Sequence, residues 1–298
     1  MSGKRVLFDA PKSPYRVPFD GSFRLRDAAH KPPKGAPKGK KGKKENRDLL
    51  KEEIETIREL HRKLYADDIF AILLVFQSMD AEGKDGTISA VMSGLNPAGC
   101  QVQSFKRPSS EELDHDFLWR IHKRAPERGR IGIFNRSHYE EVLIARVNSR
   151  VLDSQKLPHR PKDIFDQRYE SIRDFEKHLA RNGTVILKFF LNVSRDEQRD
   201  RLIARIDDPA KNWKFEAGDL ETRAQWGEYM SAYEDALNAT SRACAPWYAI
   251  PADDKPFMRR TVARILRETL EELDLRYPTL SDDEMAELGK HRQTLEGS

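Results

Sequence analysis

An unbroken run of eight apolar residues, Ile69 to Phe76, leads into the turn FQSMDAEGKDGT, Phe76 to Thr87, and then into a helix-like segment. The run is too short to cross a bilayer and suits a strand buried on both faces of a parallel sheet. A Gly-Lys pair between such a strand and a helix is how a chain builds a phosphate cradle. Backbone N–H groups point at the anion and the helix dipole adds favourable potential. Gly83 allows close approach of the backbone, and Lys84 brings a mobile positive charge. The usual pattern is G-x-x-x-x-G-K-[ST], and this chain departs from it twice. Ser78 stands where the first Gly belongs, and Asp85 where the magnesium-binding hydroxyl belongs, with Thr87 two residues later. Asp80 puts a carboxylate inside the loop, which repels a phosphate unless a metal ion sits between them.

The 298 residues suffice for one large α/β domain with appended segments. Strands are expected at Ile69–Phe76, Val102–Phe105, Ile131–Phe134, Thr184–Leu191 and Trp247–Ile250. Helices are expected at Glu45–Asp67, through Ile88–Met92, at Ser109–Arg124, around Tyr139–Leu143, and at Ile164–Ala180, Ser194–Arg205, Asp219–Arg242 and Pro256–Leu273. This alternation predicts a parallel sheet of about five strands covered on both faces. Residues 1–45 read as an irregular arm and 278–298 as a C-terminal tail around a domain spanning 46–277. The arm holds seven lysines in the fourteen residues Lys31 to Lys44, spaced by Pro, Gly and Ala. That lysine-rich segment, Lys31 to Lys44, reads as mobile and solvated or as one that grasps a polyanion. Cys100 and Cys244 have neither metal spacing nor a disulfide framework, and the N-terminus lacks the apolar core of a signal peptide. A cytoplasmic protein without a membrane partner is expected.

Ligands of parallel sheets lie beyond the carboxyl ends of the strands. Lys106 and Arg107 follow the second strand, NRSHYEE (Asn135–Glu141) the third, and Arg195, Arg199, Arg201 and Arg205 the fourth. All should share an edge with Lys84 and offer more than one phosphate position, which suits the guanidinium fork. Asn135 occupies the place where a phosphate-loop enzyme usually has an acidic residue supporting magnesium. Asp80 or Glu140 could supply the missing charge. Residues 207–226 mix Lys211, Lys214 and Arg223 with Trp213, Phe215 and Trp226, the composition of a lid that excludes water. Trp226, Tyr229 and Tyr233, at helical spacing, are expected in the core.

The segments FQSMDAEGKDGT, LNPAGCQV, FKRPSSEELDHDFLWR, IGIFNRSHYEEVL and KNWKFEAGDLETRAQWGEY, in that order, resemble the family-2 polyphosphate kinases over about residues 46–277. YRVPF near residue 15 is similar to that family's N-terminal arm. The resemblance implies a phosphate-loop, thymidylate-kinase-like fold with a helical lid at about 195–226. It implies phosphoryl transfer between inorganic polyphosphate and adenine or guanine nucleotides with magnesium, or manganese in its place. Carried over by position, Asp80, Lys84 and Arg136 would be catalytic, and Asp80, Asn135 and Glu140 would hold metal. Met79, Ala81, Gly83, Asp85, Gly86, Thr87, Lys106, Arg107, Arg195, Arg199, Lys211 and Lys214 would bind phosphate or nucleotide. Many members have Asp at the position of Asn135. The FNRSxYEEVL form resembles the subgroup acting on both nucleoside mono- and diphosphates, and a homodimer or homotetramer is expected. An ATP-dependent nucleoside monophosphate kinase would share the fold. A nucleic-acid-binding protein would share the basic and aromatic residues but has no need of Asp80 beside Lys84.

Overall fold

The computed structural model describes residues 10–37, 39–79 and 83–298. Five parallel strands, β1 (Ala71–Gln77), β2 (Cys100–Ser104), β3 (Ile131–Asn135), β4 (Thr184–Asn192) and β5 (Trp247–Pro251), lie in the order β2-β3-β1-β4-β5. The chain leaves the central β1 for the far edge, returns through β3, then crosses to β4 and β5. The strand order therefore reverses at β1, and the crevice beyond its carboxyl end is the place for a ligand in such a sheet.

The sheet is covered on both faces, as its apolar strands require. Ile72, Leu74 and Phe76 of β1 join one core with α1 (Gly39–Asp67), α2 (Lys84–Val91) and α11 (Lys255–Glu272). Leu73 and Val75 point the other way, into a second core with α5 (Glu140–Val147), α7 (Ile164–Arg181) and α10 (Trp226–Thr240). Strand alternation with period two produces this division. β2 lies at the edge, which leaves Val102 exposed. Among the described residues no helix is long and apolar enough to cross a membrane.

Several expected boundaries shift. The first helix begins at Gly39 rather than Glu45, so Lys40, Lys41, Lys43 and Lys44 are helical. β1 starts at Ala71, and β2 already at Cys100. The single helix expected over Ser109–Arg124 is two short ones, α3 (Ser110–Leu113) and α4 (Trp119–His122). Between them the Asp116 side chain accepts from the Leu118 N–H and turns the chain. Asp219–Arg242 is likewise divided at Gln225 into α9 (Gly218–Ala224) and α10. α6 (Arg150–Asp153) and α8 (Arg195–Asp207) complete the body, and within the C-terminal tail α12 (Asp282–Glu296) forms an exposed helix behind a Ser281 capping box.

Part of the arm is docked on the body, while Lys31, Lys34, Lys40, Lys41, Lys43 and Lys44 of the lysine-rich segment are exposed. Val17 and Leu25 are buried, the Val17 N–H donates to the Trp247 carbonyl, and the Ala249 N–H donates to the Tyr15 carbonyl. This short antiparallel pairing caps the free edge of β5, which would otherwise expose unpaired backbone groups. The Asn192 amide donates to the Ala28 and Ala29 carbonyls at 3.2 and 3.1 Å and fixes the arm further along.

Candidate active site

Asp80 and Ala81, expected in the phosphate loop, lie outside the described residues. On either side of them the loop is well defined. Gly83 adopts a left-handed conformation, φ 95°, at the N-cap of α2, which a side chain would strain. The Lys84 ammonium folds back and donates to Ser78 Oγ at 2.8 Å and to the Ser78 and Met79 carbonyls at 3.0 and 3.3 Å. Ser78, in place of the usual Gly, thus contributes a hydroxyl that holds the lysine. Met79 itself is buried in the second core.

Asp85 and Asn135 meet. Asn135 Nδ2 donates to Asp85 Oδ1 at 2.6 Å, tying the end of β3 to the first turn of α2. Thr87 is placed differently from a ligand-facing hydroxyl: it is fully buried, and its Oγ1 donates to the Gly83 carbonyl at 2.9 Å. Its role in this structure is to close the first turn of the helix.

Arg136 has a left-handed backbone, φ 63°, unusual for a residue with a side chain. Its N–H donates to the Phe76 carbonyl at 3.2 Å, so the turn after β3 is clamped onto the end of β1. Such local strain persists only where the surroundings enforce it, and it clusters at functional sites. The enforcement here is visible. Gln77 donates to Ser137 Oγ at 3.1 Å, and Tyr139 and His138 are buried behind the turn. Glu140 opens α5 one turn beyond Arg136.

Behind this turn lies a fully buried polar network that the sequence does not reveal. Lys188, in the middle of β4, donates to Glu176 Oε2 at 2.6 Å, to Tyr139 Oη at 2.8 Å and to the Thr240 carbonyl at 2.9 Å. Tyr139 in turn donates to Glu176 Oε1 at 2.8 Å, and the Trp247 indole donates to Thr240 Oγ1 at 2.9 Å. Burial lowers the proton affinity of Lys188, while Glu176 resists this by direct attraction. Although burial raises it, the Glu176 carboxyl is held below its ordinary value by Lys188 and His138.

The basic residues separate into two sets. Lys106 and Arg107 are exposed beyond β2, two strands and about 10 Å sideways from β1. Arg199 pairs with Asp196 and Asp200 of its own helix at 3.2 and 2.9 Å, and Lys211 pairs with Asp208. Arg195 and Lys214 are exposed, and the Lys214 ammonium lies 5.1 Å from the centre of the Trp213 ring. Trp213 is itself 74% exposed. These residues occupy the segment from α8 to α9, where Arg205 pairs with Asp219 at 3.0 Å and Arg223 donates to Gln198 at 2.9 Å. Trp226 packs half-buried against the core, and Tyr229 and Tyr233 are buried in it.

The second set approaches the loop directly, and apart from Arg201 its members escape motif reading. A Cβ on Gly83 would lie 3.9 Å from Arg201 Nη1, and one on Gly86 would lie 2.8 Å from Arg259 Nη2. Arg201 is buried, its Nε held by Glu197 at 2.8 Å and its Nη2 donating to the Ala252 carbonyl at 2.6 Å. Burial, then the neighbouring charges of Arg201 and Arg47, pull the Arg259 guanidinium below its ordinary value. Partial burial and Arg201 do the same to Lys255. Lys255 and Arg259 are spaced i, i+4 at the start of α11, the one signal of a shared face available in the sequence. Cations crowded to this degree raise the positive potential beside the loop.

Comparison with known proteins agrees with this geometry. The model of the polyphosphate kinase 2 family matches residues 40–278. The chain is 53% identical over 251 residues to an ADP-polyphosphate phosphotransferase of Rhodopseudomonas palustris, covering 83% of this chain and 87% of that protein. It is 46% identical over 264 residues to an AMP/ADP-polyphosphate phosphotransferase of Meiothermus ruber, covering 89% and 94%. The crystal structure of polyphosphate kinase 2 from Arthrobacter aurescens TC1 superimposes with a TM-score of 0.85 at 38% identity, covering 98% of this chain and 99% of that one. A sheet that reverses order at a phosphate loop, a carboxylate–amide pair beside its lysine and these matches lead to one conclusion: the chain belongs to the polyphosphate kinase 2 family.

Proposed function

We propose that the protein transfers phosphoryl groups reversibly from inorganic polyphosphate to nucleoside mono- and diphosphates, carrying AMP to ADP and ADP to ATP in a magnesium-dependent reaction. The observation that carries this reading is the crowding of Arg201, Lys255 and Arg259 around the loop of Lys84. The names of the relatives support the donor, and that of the Meiothermus ruber protein supports both acceptors.

The donor set fits a hard divalent ion. Asp85 and Asn135 offer a carboxylate and an amide oxygen within one hydrogen bond of each other, and in sequence Asp80 precedes them in the loop and Glu140 follows at the start of α5. Magnesium is commonly bound by one or two carboxylates and completed by substrate phosphates and water. Bound there, it would neutralise charge on the phosphates and orient them. Manganese has the same preference for oxygen.

In the reaction the phosphoanhydride bond of the donor's terminal phosphate breaks, and a bond forms from that phosphorus to a terminal oxygen of the acceptor. The polyphosphate leaves one unit shorter. Lys84 releases its loop contacts to meet the transferred group, and Arg136 meets it from the β3 side. The α2 backbone N–H groups and Arg201 and Arg259 hold the donor phosphates. Catalysis of this kind is positioning and charge stabilisation. Lys211, Lys214, Arg195 and Arg199, on the segment from α8 to α9, close over the phosphates as a lid. The test is to supply AMP and ADP separately with magnesium and polyphosphate, without ATP, and to separate the nucleotides with time. ADP followed by ATP from AMP is expected. ATP formed from ADP alone would restrict the acceptor to diphosphates, and ADP accumulating without ATP would restrict it to monophosphates.

A further inference from the structure

The start of α1 violates a local rule. The positive end of a helix dipole favours acidic side chains and disfavours basic ones. The first turn of α1 has no acidic residue, and in its first two turns Lys40, Lys41, Lys43 and Lys44 face a single acid, Glu45. Like charges three or four residues apart also repel along a helix. Glu45 and Asp48 offset only part of this excess, and sequences that break such rules tend to do so at functional sites.

Lys40, Lys43, Lys44 and Arg47 have the spacing i, i+3, i+4, i+7, which places them in one stripe along the helix. All four are exposed, whereas Gly42, Asn46 and Leu50 form the buried face. The direction of the stripe is fixed by the packing of α1 on α11. Arg260 donates to Asn46 at 3.3 Å and Arg267 to Glu53 at 2.5 Å. The same sequence offset in both pairs means that the two helices run parallel. The beginning of α11, with Lys255 and Arg259, therefore lies beside the beginning of α1. Arg259 touches the phosphate-loop helix at Gly86, and Arg47 is near enough to act on Arg259 electrostatically. A continuous basic line runs from Gly83 and Arg201 through Arg259 and Arg47 to Lys44, Lys43 and Lys40. At 1.5 Å per residue the α1 portion adds about 10 Å to the anion site.

We propose that this stripe is a binding track for the part of a polyphosphate donor lying beyond the phosphates held at the loop, and that it gives the enzyme a preference for long donors. The proposal rests on the polyphosphate reading above and adds a second site to it. Lysines suit the task because a uniform flexible polyanion offers charge rather than a fixed shape, and point charges on mobile stems let it slide. A short donor, held only at the loop, does not reach the stripe.

The experiment compares the parent with the triple substitution Lys40→Gln, Lys43→Gln, Lys44→Gln, leaving Arg47 in place. KM is measured for long-chain polyphosphate, for tripolyphosphate and for the nucleotide acceptor. Loss of three exposed contacts should raise KM for the long donor about tenfold at low salt, with a smaller difference at high salt. KM for tripolyphosphate and for the acceptor should stay at parent values. The matching triple substitution to Arg keeps the charge and should retain the parent's KM. The track is overturned if the Gln protein binds long chains as the parent does, or if long and short donors weaken together. A parent that transfers from no polyphosphate of any length, while folded, would remove the donor assignment and the track with it.

Discussion

Asn135 at the end of β3 donates a 2.6 Å hydrogen bond to Asp85 in the first turn of α2. In the usual phosphate-loop arrangement a hydroxyl stands on the helix and the carboxylate on the strand. Here the carboxylate is on the helix and an amide is on the strand, so in the proposed metal site the charge stands on the helix side. Asp85→Asn should therefore weaken apparent magnesium affinity by roughly 10–100-fold, the range for loss of a partner at a metal site. Adding Asn135→Asp to that variant returns the charge to the strand and should recover part of the loss. Asn135→Asp alone places two carboxylates against each other and should shift the ratio of AMP to ADP phosphorylation. Magnesium titrations of the four proteins with both acceptors check this. An Asp85→Asn protein with the parent's magnesium response would move the metal to Asp80 and Glu140.

Lys84 is held by Ser78 and Met79 and belongs to neither hydrophobic core. Lys84→Ala should leave the fold intact and reduce transfer by about 3–4 kcal/mol in barrier terms, roughly 150- to 900-fold. Thermal unfolding and initial rates on the same preparation separate the two effects. A folded variant retaining most of its rate would contradict the phosphate-loop assignment.

Lys188 and Glu176 are both buried, and neither can lose its partner cheaply. Lys188→Met or Glu176→Gln should each destabilise the fold by about 3–5 kcal/mol, because an uncompensated charge or a broken network remains in the core. The double variant should be more stable than the sum of the single losses predicts. Chemical denaturation of the three proteins measures the coupling, and simple additivity would show that the pair does not act as a unit.

His61 on α1 is buried and holds the Gly99 carbonyl at 3.1 Å through Nε2, which must carry the proton as donor. Burial, opposed in part by this hydrogen bond, lowers its pKa from the ordinary 6.5. The unfolded chain therefore takes up a proton here before the folded one does. The stabilising effect is complete above 6.5 and is lost as pH falls below it. Melting temperatures measured a unit above and a unit below that value should fall more for the parent than for His61→Gln. Equal falls would place the acid sensitivity elsewhere.

β1 and β4 are legible in the sequence because strands buried on both faces must be apolar throughout, and the Gly-Lys turn follows the first of them. The pairing of Asp85 with Asn135 is not legible, since it depends on β3 lying next to β1 rather than next in order. Arg259 and Lys255 are hidden for the same reason: nothing local in α11 says that it will start beside α2. Lys188 looks like an interruption in an apolar strand, and its partner Glu176 looks like one acid among many on an amphipathic helix. The helix break near Asp116 is a turn in which a short-range side-chain contact overrides the periodic pattern.

The most direct test of the account follows the phosphorus itself. Phosphorus NMR of the purified protein with AMP, magnesium and polyphosphate, without ATP, resolves chain phosphates from nucleotide phosphates. The account predicts that the β-phosphate of ADP appears first and the γ-phosphate of ATP later, each matched by loss of polyphosphate. An unchanged polyphosphate signal, with AMP phosphorylated only after ATP is added, would contradict it and leave an ATP-dependent monophosphate kinase on the same fold.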